Sequence, residues 1–135
     1  MSWSQDLGSF SLLSSGDMST HQYRAVKAST ANDVEGAVLL AVRGAGPITG
    51  VWQDNSTQTE AGKVRYAGVS KLQAGDSSAM ANAITVGGSV VASSVGNAVP
   101  STAAGQHLIG IALEALSTGS TGNIAVLQTP GAIST

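Results

Sequence analysis

Residues 108 to 131 read LIGIALEALSTGSTGNIAVLQTPG, and the fold turns on whether Ile111-Ala-Leu-Glu-Ala-Leu116 is helix or strand. As a strand, Ile109, Ile111, Leu113 and Ala115 line one face, and Gly110, Ala112 and Glu114 the other. As a helix it is poor: Gly110 and Gly119 bracket only eight residues, too few to stand without strong packing. The strand reading wins. A loop of Ser, Thr and Gly then leads to Asn123-Ile-Ala-Val126, so the stretch predicts a β-hairpin.

The same pattern occurs sixty positions earlier without a gap. Ile48 corresponds to Leu108, Gly50-Val51 to Gly110-Ile111, Gly62 to Gly122, Val64 to Ile124 and Tyr66 to Val126. Each copy starts apolar-x-Gly-apolar, passes through a polar Ser/Thr-rich stretch and a Gly, and ends in alternating apolar residues. Both copies predict a hairpin.

Outward from these hairpins, β-favouring runs recur at spacings of roughly ten residues, the signature of an all-β sandwich or barrel. The candidate strands are 22–28, 36–42, 48–53, 63–72, 84–91, 108–116 and 123–129. Within 63–72, Lys63 and Arg65 alternate with Val64 and Tyr66, and Ala67-Gly68 reads as a bulge. The fold class expected is therefore all-β, about seven short strands in a small barrel or sandwich, with at most one short helix at SSAMANAI. Residues 1–20 follow neither period and read as an extended N-terminal arm, leaving 21–135 as a single β-rich domain with a short C-terminal tail. The arm holds Trp3, Leu7, Phe10, Leu12 and Leu13, which include one of two Trp and the only Phe in a chain that is 4% aromatic. Aromatic side chains dominate interface energetics, so this arm should dock, on its own domain or on a partner.

Composition limits the chemistry. The 135 residues are enough for one domain that buries about two-thirds of its unfolded surface. Without cysteine, disulfides, thiolate metal sites and cysteine nucleophiles are excluded. Charged residues make up 10% of the chain, against about a quarter in ordinary domains. A net charge of −2 supplies no footprint for nucleic acid. All six basic residues fall at or before Lys71; beyond it only Asp76 and Glu114 are charged, which suits a surface packed against protein. No window reaches 18 consecutive apolar residues and the N-terminus lacks a secretory pattern, so no membrane association is expected and the chain reads as soluble and unexported.

Catalytic residues do not emerge. His21 and His107 have no second ligand at metal spacing, and no GxSxG occurs. Glu114 and Asp76 are the only acids of the second half, too sparse for paired-carboxylate work, and Glu114 reads as a strand residue facing solvent or an interface. RGAGPITG misses the dinucleotide spacing, and Asn55-Ser-Thr reads as a hairpin loop. No catalytic residue, metal or cofactor is expected. The contact strand would be the one carrying Gly110, Ala112 and Glu114.

Taken in order, SGDMSTHQYRAVKAS (15–29), ITGVWQDNSTQTEAGKVRYAGVSKLQAG (48–75) and STAAGQHLIGIALEALSTGSTGNIAVLQTPG (101–131) resemble the small capsid cement, or decoration, proteins of tailed bacteriophages. The matching motifs are Gly16–Thr20, Gln22-Tyr23, Gly50–Gln53, Ala61-Gly62, Gly68–Lys71, Ala103–Gly105 and Ile109–Ala115. Met18 stands where the family pattern has Leu, and 76–100 is longer and richer in Ser than that pattern. The resemblance implies a protein that binds the outer surface of the assembled major capsid protein lattice, often as a homotrimer, and stiffens the head without enzymatic activity; it would reside in the host cytoplasm before assembly. Two other classes fit a β-rich, weakly charged module: a phage tail or adhesion module binding a cell-surface glycan, and a small trimeric nucleotide hydrolase, which would need clustered carboxylates for magnesium.

Overall fold

The structure, a computed structural model, describes residues 8–13, 17–28, 38–40, 48–55, 61–75, 82–93, 95–102 and 106–126. Among these the chain is all-β, with ten strands and no helix: β1 (Ser9–Leu13), β2 (Ala25–Ala28), β3 (Val38–Leu40), β4 (Gly50–Trp52), β5 (Ala61–Arg65), β6 (Gly68–Gln73), β7 (Ser89–Ala92), β8 (Ala98–Pro100), β9 (Leu108–Ala112) and β10 (Thr121–Val126). They form two antiparallel five-stranded sheets, ordered β1-β5-β4-β2-β3 (sheet A) and β6-β10-β9-β7-β8 (sheet B). Among the described residues sheet A stays open, and only an isolated parallel bridge between Ala74 and Ala98 links the edges of sheet B. The arrangement is a sandwich rather than a barrel.

Adding five to every label of sheet A gives sheet B. The correspondence holds at the level of register. Ser9 opposite Arg65 becomes Val69 opposite Ala125, and Leu12 opposite Gly62 becomes Leu72 opposite Gly122. Val51 opposite Arg65 becomes Ile111 opposite Ala125, again sixty positions on (51 to 111, 65 to 125). Only β2 and β7 slip, to sixty-four, where Ala25 opposite Val51 becomes Ser89 opposite Ile111. The duplication read from residues 48–66 and 108–126 thus extends over five strands per unit.

Glycine placement explains why the pattern repeats. A Cβ on Gly50 would strike the Arg65 carbonyl, and one on Gly110 would strike the Ala125 carbonyl, so both central strands approach their neighbours too closely for any side chain. Gly68, at φ 90°, breaks what the sequence reads as a single strand over 63–72. The residues before it belong to sheet A and those after it to sheet B. The expected bulge at Ala67-Gly68 is in fact the crossing between sheets. The strand count rises from about seven to ten through this split and through β1 and β8.

Two apolar clusters hold the layers. Val26, Trp52, Val64 and Met18 are buried together on one face of sheet A, with Leu12 of β1 packed on them. On the opposite face, Ala25 and Val51, both fully buried, join the larger cluster built from sheet B residues such as Leu72, Val90, Ile109, Leu116 and Ile124. Burying side chains of this size contributes about 1.5–3 kcal/mol each. Backbone hydrogen bonds tie the sheets at one corner, Ala25 N–H to the Gly96 carbonyl (2.8 Å) and Gln73 N–H to the Tyr23 carbonyl (2.9 Å), while Gly75 N–H to the Ala98 carbonyl (2.9 Å) joins the two edges of sheet B.

Candidate functional site

The strand carrying Gly110, Ala112 and Glu114 is β9 and its continuation. Gly110 and Ala112 are buried, Ala112 within the larger core cluster. Glu114 is exposed, and its Oε1 accepts the Asn123 backbone N–H at 2.8 Å. In the first unit the Asp54 carboxylate, sixty positions earlier, accepts the Lys63 backbone N–H. Each acid therefore fastens the end of its hairpin, where the ladder has run out and the backbone donor would otherwise face water.

The arm residues are placed less evenly. Trp3 and Leu7 lie outside the described residues, as does the Phe10 side chain. Ser9–Leu13 pairs with β5 as an edge strand of sheet A, with Phe10 opposite Val64 and Leu13 opposite Ala61. Leu12 packs on the Trp52 cluster, and Leu13 is half-buried. Ser9-Phe10-Ser11-Leu12 does alternate, but the pattern covers four residues and breaks at Leu13, too short to stand out in a Ser/Gly-rich arm.

Polar chemistry is scattered. Asp17 accepts the Ser19 N–H at 2.9 Å, which, with the Ser19 hydroxyl, holds its carboxyl below the usual range. His21 Nδ1 lies 3.2 Å from the Thr20 hydroxyl. Its pKa is lowered first by burial and then by Arg24, with Asp17 opposing. Among the described residues no three His, Asp or Glu side chains gather as a metal site, and no helix is long and apolar enough to cross a membrane.

The outer face of sheet B is the most unusual surface. Direct cross-strand partners share a face, so Val69, Ala125, Ile111 and Ser89 form one row across β6, β10, β9 and β7. Beside it Leu113 donates its N–H to the Asn123 carbonyl, and Asn123 stands opposite Lys71. Val69 is 54% exposed and Leu113 47%. The turn residue Val86, 67% exposed, sits next to Leu113 because Gly87 N–H bonds the Ala112 carbonyl. Lys71 reaches back over the Tyr23 ring, its Nζ 5.8 Å from the centroid.

The described residues form a duplicated two-sheet β-sandwich whose second sheet carries exposed aliphatic side chains on its outer face. The chain matches the phage cement protein family over residues 18–128 and belongs to that family. Its fold is shared with the N base of the head fiber gp8.5 of bacteriophage phi29, at TM-score 0.66 and 18% identity, over 90% of this chain and 95% of that one. No curated protein matches it in sequence. The expected resemblance to cement proteins and the all-β fold class both hold.

Proposed function

We propose that this chain is a non-catalytic decoration protein which binds the outer surface of the major capsid protein lattice and stabilises the phage head as a homotrimer, waiting in the host cytoplasm until heads assemble. Membership of the cement family over residues 18–128 carries this reading. The physical requirements are modest. Anything that binds only the assembled lattice stabilises it by mass action, and many copies multiply the effect. The N-terminal arm is the proposed anchor, with Trp3, Leu7 and Phe10 filling pockets on a neighbour and β1 at the edge of sheet A among the described strands.

The experiment is co-sedimentation of the purified protein with expanded capsid shells. Saturable binding supports decoration; no binding to shells overturns it. Because Ser9–Leu13 is built into sheet A, the deletion that isolates the anchor removes residues 2–7 and stops there. That variant should stay folded and lose shell binding, and retained binding would remove the arm from the anchoring role.

A further inference from the structure

We propose that the outer face of sheet B is the surface through which copies of this chain meet. The proposal rests on the self-associating part of the functional reading and names its surface. The observation that carries it is the internal duplication, which supplies a control face within the same molecule. In sheet A the equivalent row is Ser9, Arg65, Val51 and Ala25, and Val51 and Ala25 are fully buried against sheet B. A copy of the five-stranded unit covers that face. In sheet B the corresponding Ile111 and Ser89 are only half-buried.

Four substitutions between the units run opposite to what solvation alone would select, while Ala25 to Ser89 and Ser11 to Lys71 follow it. Where the first unit has Ser9, Arg65, Gln53 and Gln22, the uncovered second unit has Val69, Ala125, Leu113 and Val86. In the first unit the polar side chains are used: Gln22 Nε2 donates to the Gln53 carbonyl at 2.8 Å, and Gln53 Nε2 donates to Ser70 Oγ at 2.8 Å. In the second, the same places present bare aliphatic groups to water. Four polar-to-apolar exchanges on one face that no other described residue covers mark a surface that is dry in the assembled state.

A second copy of the chain fits this face better than a capsid surface does. The two rows on sheet B retain one charge, Lys71, against Lys63 and Arg65 on the matching rows of sheet A. Depletion of charge with enrichment of aliphatic groups is the composition of interfaces between identical subunits, which are more apolar than those between transient partners. The intramolecular contact continues the same logic, one unit against another, from within the chain to between chains.

Sedimentation velocity of the full-length protein over a concentration series tests this directly, with Val69→Asp and Leu113→Asp as variants at exposed positions and Val95→Asp, 44% exposed on the turn beside Arg24, as control. The wild type and V95D should form the same oligomer. V69D and L113D should keep their circular dichroism and melting temperature while self-association weakens by ~30-fold or more, the scale of losing an interface hot spot. A wild type that stays monomeric, or V69D and L113D proteins that associate as the wild type does, would overturn the proposal. Shell co-sedimentation is measured in parallel. Variants that keep the oligomer but lose shells assign the face to the capsid and overturn this inference alone. A wild-type oligomer that ignores shells overturns the decoration reading and leaves the interface standing.

Discussion

Glu114 and Asn123 are joined by a carboxylate-to-backbone hydrogen bond of 2.8 Å that closes the β9–β10 hairpin just beyond its last ladder pair. Asp54 and Lys63 repeat the bond in the other unit. A carboxylate whose oxygen is committed to a main-chain donor serves the fold. Glu114→Gln keeps an acceptor oxygen and should change stability by a few tenths of a kcal/mol, leaving shell binding within a few-fold. Glu114→Ala should cost about 1 kcal/mol, the net value of one hydrogen bond. Asp54→Ala should cost a similar amount, and the two should add in the double variant because they act on separate hairpins. Urea denaturation measures all four.

The glycines at strand crossings differ in what they press against, so the order of their alanine variants can be stated. Gly110→Ala places a methyl on the Ala125 backbone, which cannot move without parting β9 from β10. Gly122→Ala meets the tip of the Leu116 side chain, which can turn away at the cost of disturbing the core. Gly62→Ala falls on the Trp52 indole, rigid but not backbone. The expected order of destabilisation is Gly110, then Gly62, then Gly122, with the last in the ~1–3 kcal/mol range of overpacked cores. A Gly122→Ala variant less stable than Gly110→Ala would contradict it.

Gly87 and Gly119 isolate a different effect. Both have left-handed backbones, at φ 80° and 74°, and a Cβ on either would meet nothing within 4 Å. Alanine there should cost only conformational strain, about 1–2 kcal/mol. Tyr23 occupies the place of Gly87 in the first unit and carries that strain natively at φ 61°. Its N–H bonds the Trp52 carbonyl as that of Gly87 bonds Ala112. The calorimetric melting temperatures of the two alanine variants should fall together.

The sequence carried the hairpins because there the two units align at a constant offset of sixty. The offset slips to sixty-four at β2 and β7 and returns to sixty at β3 and β8, where Val38 and Ala98 correspond. The slip lies inside 76–100, the segment that departs from the family pattern. β8 was illegible for a second reason: it is three residues long and ends on Pro100, which only an edge strand tolerates. The split at Gly68 needed a backbone angle that alternation of Val64, Tyr66 and their neighbours does not encode. On the surface, the reading of 108–116 placed Ile109 on one face with Ile111, Leu113 and Ala115, but the register shift between Val90 and Val91 turns Ile109 into the core with Ala112. Which face is covered depends on how sheet A lies against sheet B, and no local pattern states that. Tyr23 gives no sequence sign of its left-handed backbone; only its pairing with Gly87 reveals it.

Acid should weaken the fold in two separate windows. Burial and the neighbouring Arg24 lower the pKa of His21, against a smaller opposing pull from Asp17. The folded chain therefore binds this proton less readily than the unfolded chain, and stability rises with pH across the interval between the two values. The contribution is complete above the ordinary histidine value of 6.5 and is lost as pH falls through the lower folded value. Asp17 is also lowered, chiefly by the Ser19 backbone N–H, so its contribution is complete above 3.8 and disappears only below that. Between pH 7 and 5 the histidine acts alone of the pair. His21→Gln removes the titration while keeping a polar side chain, so its melting temperature should fall less over that interval than that of the wild type. Below pH 4 both proteins should lose further stability, as both retain Asp17 and its Ser19 hydrogen bonds. Equal slopes between pH 7 and 5 would show that the mild-acid sensitivity does not originate at His21.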